Sequence, residues 1–124
     1  MLFRSGKWSV SELLAHFAEA EMGAFWRYRQ MIEHDGVALP GFDQELWARL
    51  GDYNSWTARD ALDMFRLLRQ ANVTVLSHLS PAEWERSGTH SERGRLTVRS
   101  LAAHMVGHDA NHIAQIQRIL AGGV

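Results

Sequence analysis

Three stretches of this sequence repeat apolar residues every three or four positions, and each opens on a side chain able to cap a helix. That pattern leaves a chain of this size little choice but packed helices. The first stretch places Val10, Leu13, Leu14, Phe17, Phe25, Tyr28 and Ile32 on one stripe. Ser9 and Glu12 have the spacing of a capping box, and Trp8 can staple onto Leu13. His34-Asp35-Gly36 reads as its end, with glycine free to turn left-handed. The second stretch starts at Thr57 with Asp60 and carries Ala61, Leu62, Phe65, Leu68, Val75 and Leu79. The third is capped by Thr97, flanked by Leu96 and Leu101 at staple spacing, and runs to Gly122-Gly123.

Between these stretches, residues 36–56 form a connection through Pro40-Gly41, with a short helix expected near Asp43–Leu50 and stopped by Gly51. Ser80-Pro81-Ala82-Glu83 starts a brief turn of helix with proline in its first position. Residues 87–95, SGTHSERGR, are polar, contain two glycines and read as a loop. With no strand pattern or repeat, the expected fold class is all-α, a helical bundle forming one domain over residues 1–124. The apolar stripe on the first helix is wide: Met22, Phe25, Trp26, Tyr28, Met31 and Ile32 cover much of its circumference. A fourth helix from elsewhere would give that surface something to bury against.

Composition narrows the function. Thirteen basic residues against fourteen acidic ones, a formal charge of −1, give no electrostatic reason to expect nucleic acid or an anionic membrane as partner. Cysteine is absent, which removes disulfides, thiolate zinc sites and cysteine nucleophiles together and fits a reducing cytosol, so a cytoplasmic location is expected. No apolar run approaches the roughly 18 residues of a membrane span. The unusual count is seven histidines, three of which, His104, His108 and His112, fall in the third helical stretch.

His108 lies seven residues after Leu101 and three after Met105; His112 lies four before Ile116 and seven before Ile119. Both therefore sit inside the apolar stripe, one helical turn apart, where their rings could grip one ion. Two imidazoles in an apolar seam are costly unless their donors and acceptors are satisfied, and a metal would take one nitrogen from each. The competing reading is a pair of core histidines bonded to neighbouring side chains. For a third ligand, His16 is the histidine within another well-patterned helix, and His78 is the weaker rival. His104 drifts to the edge of the face, as a pocket wall or a surface residue. Other groups near the candidate ligands could act as general base: Glu19, three after His16; His104 and Asp109 beside the pair; and His90, reaching in from its loop. Asp109 and Asn111 fit equally well as surface residues, and Gln115, three after His112, could orient that ring.

Several chemistries are absent. The sequence has no H-E-x-x-H, no Glu-x-x-His pair, no phosphate-binding glycine loop and no G-x-S-x-G elbow. Haem between facing histidines would need a wide apolar slot that nothing specifies. Glu21 and Arg69 each fall within an apolar stripe, and they are expected to pair across the interface between the first two long helices.

The segment Trp8-Ser9-Val10, with Leu14-Ala15-His16 and Glu21 following, resembles the opening histidine helix of the DinB/YfiT-like superfamily. The run from Gly88-Thr89-His90 through Leu96-Thr97-Val98 to His108-Asp109-Ala110-Asn111-His112-Ile113-Ala114-Gln115-Ile116 resembles its closing helix. The resemblance spans most of residues 7–120. It implies an antiparallel four-helix bundle with a divalent metal, zinc or nickel, on His16, His108 and His112. It also implies an enzyme that activates water or a low-molecular-weight thiol, as a hydrolase or thiol transferase. The alternative is a non-catalytic bundle that binds a metal or small ligand, and a metal position opening onto a cleft would favour the enzyme. The family has a further long helix ahead of its tryptophan-led segment, where this sequence has only MLFRSG. Either the sequence is truncated there or a neighbouring subunit covers the exposed face; the expectation is three long helices in a homodimer.

Overall fold

The computed structural model describes residues 8–122; the MLFRSG segment and Gly123 lie outside them. Three long helices dominate: α1 (Val10–Glu33), α3 (Ala58–Ser77) and α5 (Val98–Leu120). Two short ones, α2 (Gln44–Leu50) and α4 (Pro81–Trp84), sit in the connections, and Tyr53–Ser55 form one 3-10 turn. The helix starts are where local chemistry puts them. Ser9 Oγ accepts the Glu12 N–H while the Glu12 carboxylate accepts the Ser9 N–H, and Ser80 with Glu83 repeats the reciprocal cap at α4. Thr57 caps α3, and Thr97 caps α5 with Ser100 as its return partner. Each such cap satisfies amides that the first helical turn cannot, worth about 1 kcal/mol. Gly36, at φ +87°, carries the chain out of α1 in the left-handed region.

Residues 87–95 are not a loop. Ser87–His90 (β2) and Gly94–Thr97 (β3) form an antiparallel hairpin, and β2 also pairs in parallel with β1 (Val37–Leu39), giving the order β1-β2-β3. The hairpin turns through Gly94 at φ +76°. Asp35, just past α1, accepts both the Ser87 N–H and its hydroxyl, at 2.6 and 2.9 Å, and fixes β2 to the end of α1. The sheet is a minor addition to a helical fold; its place is over one end of α1 and α5.

Both α3 and α5 pack on α1. The buried apolar residues fall into two clusters at opposite ends of α1. Trp8, Leu13, Ala15 and Tyr53 form one, and Ala24, Tyr28, Met31, Leu39, Leu96, Val98, Leu101 and Met105 form the other. Full burial of a side chain such as Leu13 or Leu101 contributes roughly 1.5–3 kcal/mol. Between the two clusters α1 presents His16, Phe17 and Glu21, all buried.

The wide stripe of α1 is mostly covered. Tyr28 and Met31 are buried, Met22, Phe25 and Ile32 partly so, and Trp26 alone of that set is exposed. The apolar surface left open lies elsewhere, at Leu62, Leu67 and Val73 on α3 and Val106, Ile113 and Leu120 on α5.

Candidate metal centre

His16 comes from α1, His108 and His112 from successive turns of α5, and one ring nitrogen of each lies within 4.8 Å of the others. The His16 and His108 Nε2 atoms are 2.8 Å apart, and the three ring centroids are 4.7–4.9 Å from one another. Aromatic edges hold the group in place: Trp8 meets His16 at 5.2 Å, and Phe17 meets His112 at 5.8 Å and His108 at 6.1 Å. His16 is 3% exposed. Burial, and then the neighbouring His108 and His112, push its pKa down to about 3, so it is a neutral donor at physiological pH. Burial likewise lowers His112.

Each α5 imidazole has an oxygen at its Nδ1. Asp109 Oδ1 is 3.0 Å from His108, and Gln115 Oε1 is 3.0 Å from His112. Such partners keep the proton on Nδ1 and turn the Nε2 lone pair towards the shared centre. Two nitrogens at 2.8 Å share one proton, and a divalent ion held by both would take that proton's place. A tetrahedral ion with bonds of about 2.0–2.1 Å spaces its nitrogens about 3.4 Å apart, which lies between the 2.8 Å of the His16–His108 pair and the 4.8 Å within which all three nitrogens fall. The donor set fits a divalent metal: three imidazoles, two of them oriented by oxygen partners, in an aromatic surround.

The orienting carboxylate is itself anchored. Asp109 is buried, not a surface residue, and its Oδ2 accepts from Arg69 Nη2. Arg69 also donates to Glu21 Oε1 at 3.0 Å, the pairing between α1 and α3 expected from the sequence. Glu21 Oε2 takes a 2.6 Å hydrogen bond from Asn72, whose own oxygen accepts from Arg29. Burial would raise the Asp109 carboxyl, but hydrogen bonds from His108 and Arg69 more than offset it and hold its pKa below the usual range. Burial opposes charge on Arg69 too, and Glu21 and Asp109 outweigh it. Asn72 escaped the sequence reading, and Asp109, read there as a candidate base or a surface residue, is instead the oxygen partner of His108 Nδ1. Asn72 carried a signal, since it lies midway between Leu68 and Leu76 on the α3 stripe.

The remaining candidates separate. Glu19 accepts the Tyr53 hydroxyl at 2.7 Å, and burial raises its carboxyl against that hydrogen bond. His78 is exposed at the C-cap of α3, bonded to Thr74 O, and is not brought to the centre. Asn111 is exposed. His90 is buried on β2 rather than mobile on a loop. It lines a cleft of about 740 Å³ together with Arg27, Phe42, His104, Met105 and His108. His104 is exposed at the rim, its ring 6.4 Å from that of His108. The centre therefore reaches the cleft through His108.

The sequence model of the DinB superfamily matches residues 3–116. The chain belongs to the DinB superfamily. It is 29% identical over 114 residues to an Oceanobacillus iheyensis protein named "Putative metal-dependent hydrolase OB0782", covering 92% of this chain and 66% of that one. It is 22% identical over 118 residues to "Putative metal-dependent hydrolase YfiT" of Bacillus subtilis, covering 94% and 66%. The chain thus spans about two thirds of the length of the curated relatives it matches. The solved structure of Bacillus subtilis YfiT, described as having an unusual four-helix bundle topology, superposes with a TM-score of 0.87 over all of this chain and 73% of that one, at 21% identity. The helical bundle fold is shared. Among the described residues, no helix is long and apolar enough to cross a membrane.

Proposed function

We propose that this chain is a metal-dependent enzyme of the DinB type, with His16, His108 and His112 holding a zinc or nickel ion that activates water or a low-molecular-weight thiol. The observation that carries this reading is the join between the histidine cluster and the cleft at His108. A structural site would have no use for an opening. A divalent ion on three neutral imidazoles retains an open position and lowers the pKa of a water or thiol placed there.

The chain's residues do the rest. Asp109 and Gln115 fix the tautomers of His108 and His112, and Arg69 holds Asp109. Trp8 and Phe17 exclude water from the back of the centre. His104, at the cleft rim one turn from His108, is placed to accept a proton from a group entering there, and burial, then Arg93 and His108, lower its pKa. Glu19 is committed to Tyr53 and is the weaker base.

Zinc-loaded protein tested on p-nitrophenyl acetate, and on a low-mass thiol with 1-chloro-2,4-dinitrobenzene, separates hydrolysis from thiol transfer. Turnover in either assay that disappears in His112→Ala supports the reading. No turnover in both, with the site shown to be loaded, favours a non-catalytic metal-binding bundle.

A homodimer belongs to the same proposal. Val106, Ile113 and Leu120, seven residues apart, form one exposed stripe on α5, and Leu62 and Val73 lie exposed on α3. Heptad-spaced apolar residues suit a packed helix partner. Sedimentation of the parent beside Ile113→Glu should show a dimer that dissociates; a monomeric parent contradicts it.

A further inference from the structure

Among the described residues, the cleft beside the histidines contains a buried cation with no carboxylate at ion-pair distance. Arg27, on α1, is 7% exposed and lines the cleft. Its guanidinium is rigidly placed: Nη2 donates to Pro40 O at 2.9 Å, and the plane lies 3.9 Å over the Phe42 ring. Its Nε is buried and has no acceptor, and among the described residues no carboxylate lies within ion-pair distance of it. A buried charge with an unused donor is expensive unless something pairs with it.

A second donor faces the same space. The Nδ1 atom of His90 accepts the N–H groups of Glu92 and Arg93, at 3.0 and 3.1 Å. The neutral ring therefore carries its proton on Nε2. Burial, then Arg27 and Arg93, depress the His90 pKa and keep the ring neutral. Arg27 itself is disfavoured as a cation, first by burial and then by Arg93. Of the arginines and carboxylates lining the cleft, Arg27 is the one that is buried. The acids, Asp43, Glu45 and Glu92, are exposed; solvent screens them, and Asp43 is occupied in capping α2.

We propose that Arg27 and His90 form the recognition site for a carboxylate on the substrate, which sets the substrate class as an elongated organic carboxylate. The Arg27 guanidinium and the His90 Nε2–H line one cleft, and a guanidinium with a second N–H donor suits the two oxygens of a carboxylate. The length follows from the helix: Arg27 is eleven residues beyond His16, about 16 Å along the axis at 1.5 Å per residue. Arg27, His90 and His108 line the same cleft, so the reacting bond would sit beside His108, at a distance from the carboxylate. Met105, Ala20 and Ala24 line the stretch between. This assignment rests on the metal-enzyme reading only for the position of the reacting bond. The anion site itself is built from residues that ligate nothing.

The test is direct binding to metal-stripped full-length chain. Hexanoate, its neutral isostere hexanamide and inorganic phosphate are each titrated by calorimetry, with the Arg27 Nε–H resonance followed by NMR. Hexanoate should bind saturably at least ten-fold more tightly than hexanamide and shift the Nε–H resonance. Arg27→Met, which keeps the unbranched apolar stem and removes the charge and the N–H donors, should lose that difference. Arg27→Lys, which keeps the charge, should retain part of it, and both variants are checked for cooperative melting. Equal affinity for hexanoate and hexanamide overturns the proposal, as does unchanged hexanoate binding in folded Arg27→Met or His90→Phe. Tighter binding of phosphate than of hexanoate overturns the carboxylate assignment. Because zinc is absent throughout, failure here leaves the histidine centre untouched, and failure of zinc binding leaves this site untouched.

Discussion

Replacing Arg69 with Met should cost this fold more than any other single change at a partly exposed position. The guanidinium joins three elements, bonding Glu21 on α1 and Asp109 on α5 from its place on α3. Its removal leaves the Glu21 side chain, 3% exposed, without its cation. Breaking a buried ion pair from one side typically costs about 3–5 kcal/mol. Two features place this case at the lower end: the Arg69 side chain is 38% exposed, and Glu21 keeps its 2.6 Å hydrogen bond from Asn72. The expected loss is about 3 kcal/mol. At about 2.1 cal/mol/K of unfolding entropy per residue, a chain of this length loses roughly 11 °C in Tm. Urea unfolding of the parent, Arg69→Met, Glu21→Gln and the double variant would supply the magnitude and a coupling energy. The double variant should recover part of the loss, since it no longer buries an unpaired carboxylate. A change below about 0.5 kcal/mol in Arg69→Met, or strict additivity across the cycle, would refute the bridging role.

Three further outcomes follow from the same geometry. Gly88→Ala should destabilise by about 1–3 kcal/mol, because the added Cβ would fall 2.5 Å from Leu39 Cδ1 and 3.1 Å from Met31 Cγ, both in the core; a Tm equal to the parent's would show that the sheet gives way easily. Asp109→Ala should weaken zinc binding about 10–100-fold in a competitive chelator titration by releasing His108; unchanged affinity would mean the carboxylate only supports α5. The Ser87 backbone and hydroxyl hydrogen bonds hold the Asp35 pKa below its ordinary 3.8. The stability it confers is present above 3.8 and lost as the pH falls through the lower folded-state value. Asp35→Asn should therefore melt below the parent at pH 7, with a gap that narrows under acid; a gap independent of pH would assign the effect to the hydrogen bonds alone.

The helices were legible because their signals are local. A capping box spans four residues, and an apolar stripe declares its face within two turns, so Ser9, Thr57, Ser80 and Thr97 could be placed without knowing what lay opposite. The short helix at Asp43–Leu50 was read for the same reason. The sheet was not, because strands of three or four residues show no usable alternation and β1 pairs with a segment about fifty residues away. His108 and His112 revealed themselves by sitting in an apolar stripe. Asp109 was read as a candidate base or a surface residue, and its part in orienting His108 stayed hidden because the Arg69 facing it from another helix is not visible in the sequence. Arg27 was invisible for a related reason: that no carboxylate among the described residues lies at ion-pair distance from it is a property of the folded cleft.

The central claim, that three histidines hold a metal ion at the mouth of this cleft, is tested most directly by metal analysis of untagged protein purified without chelator, beside His108→Ala. The account predicts about one zinc or nickel per chain in the parent, as expected for a single three-histidine site, and little or none in a folded variant. A parent that is metal-free and cannot be reloaded, or a variant that keeps its metal, would contradict it.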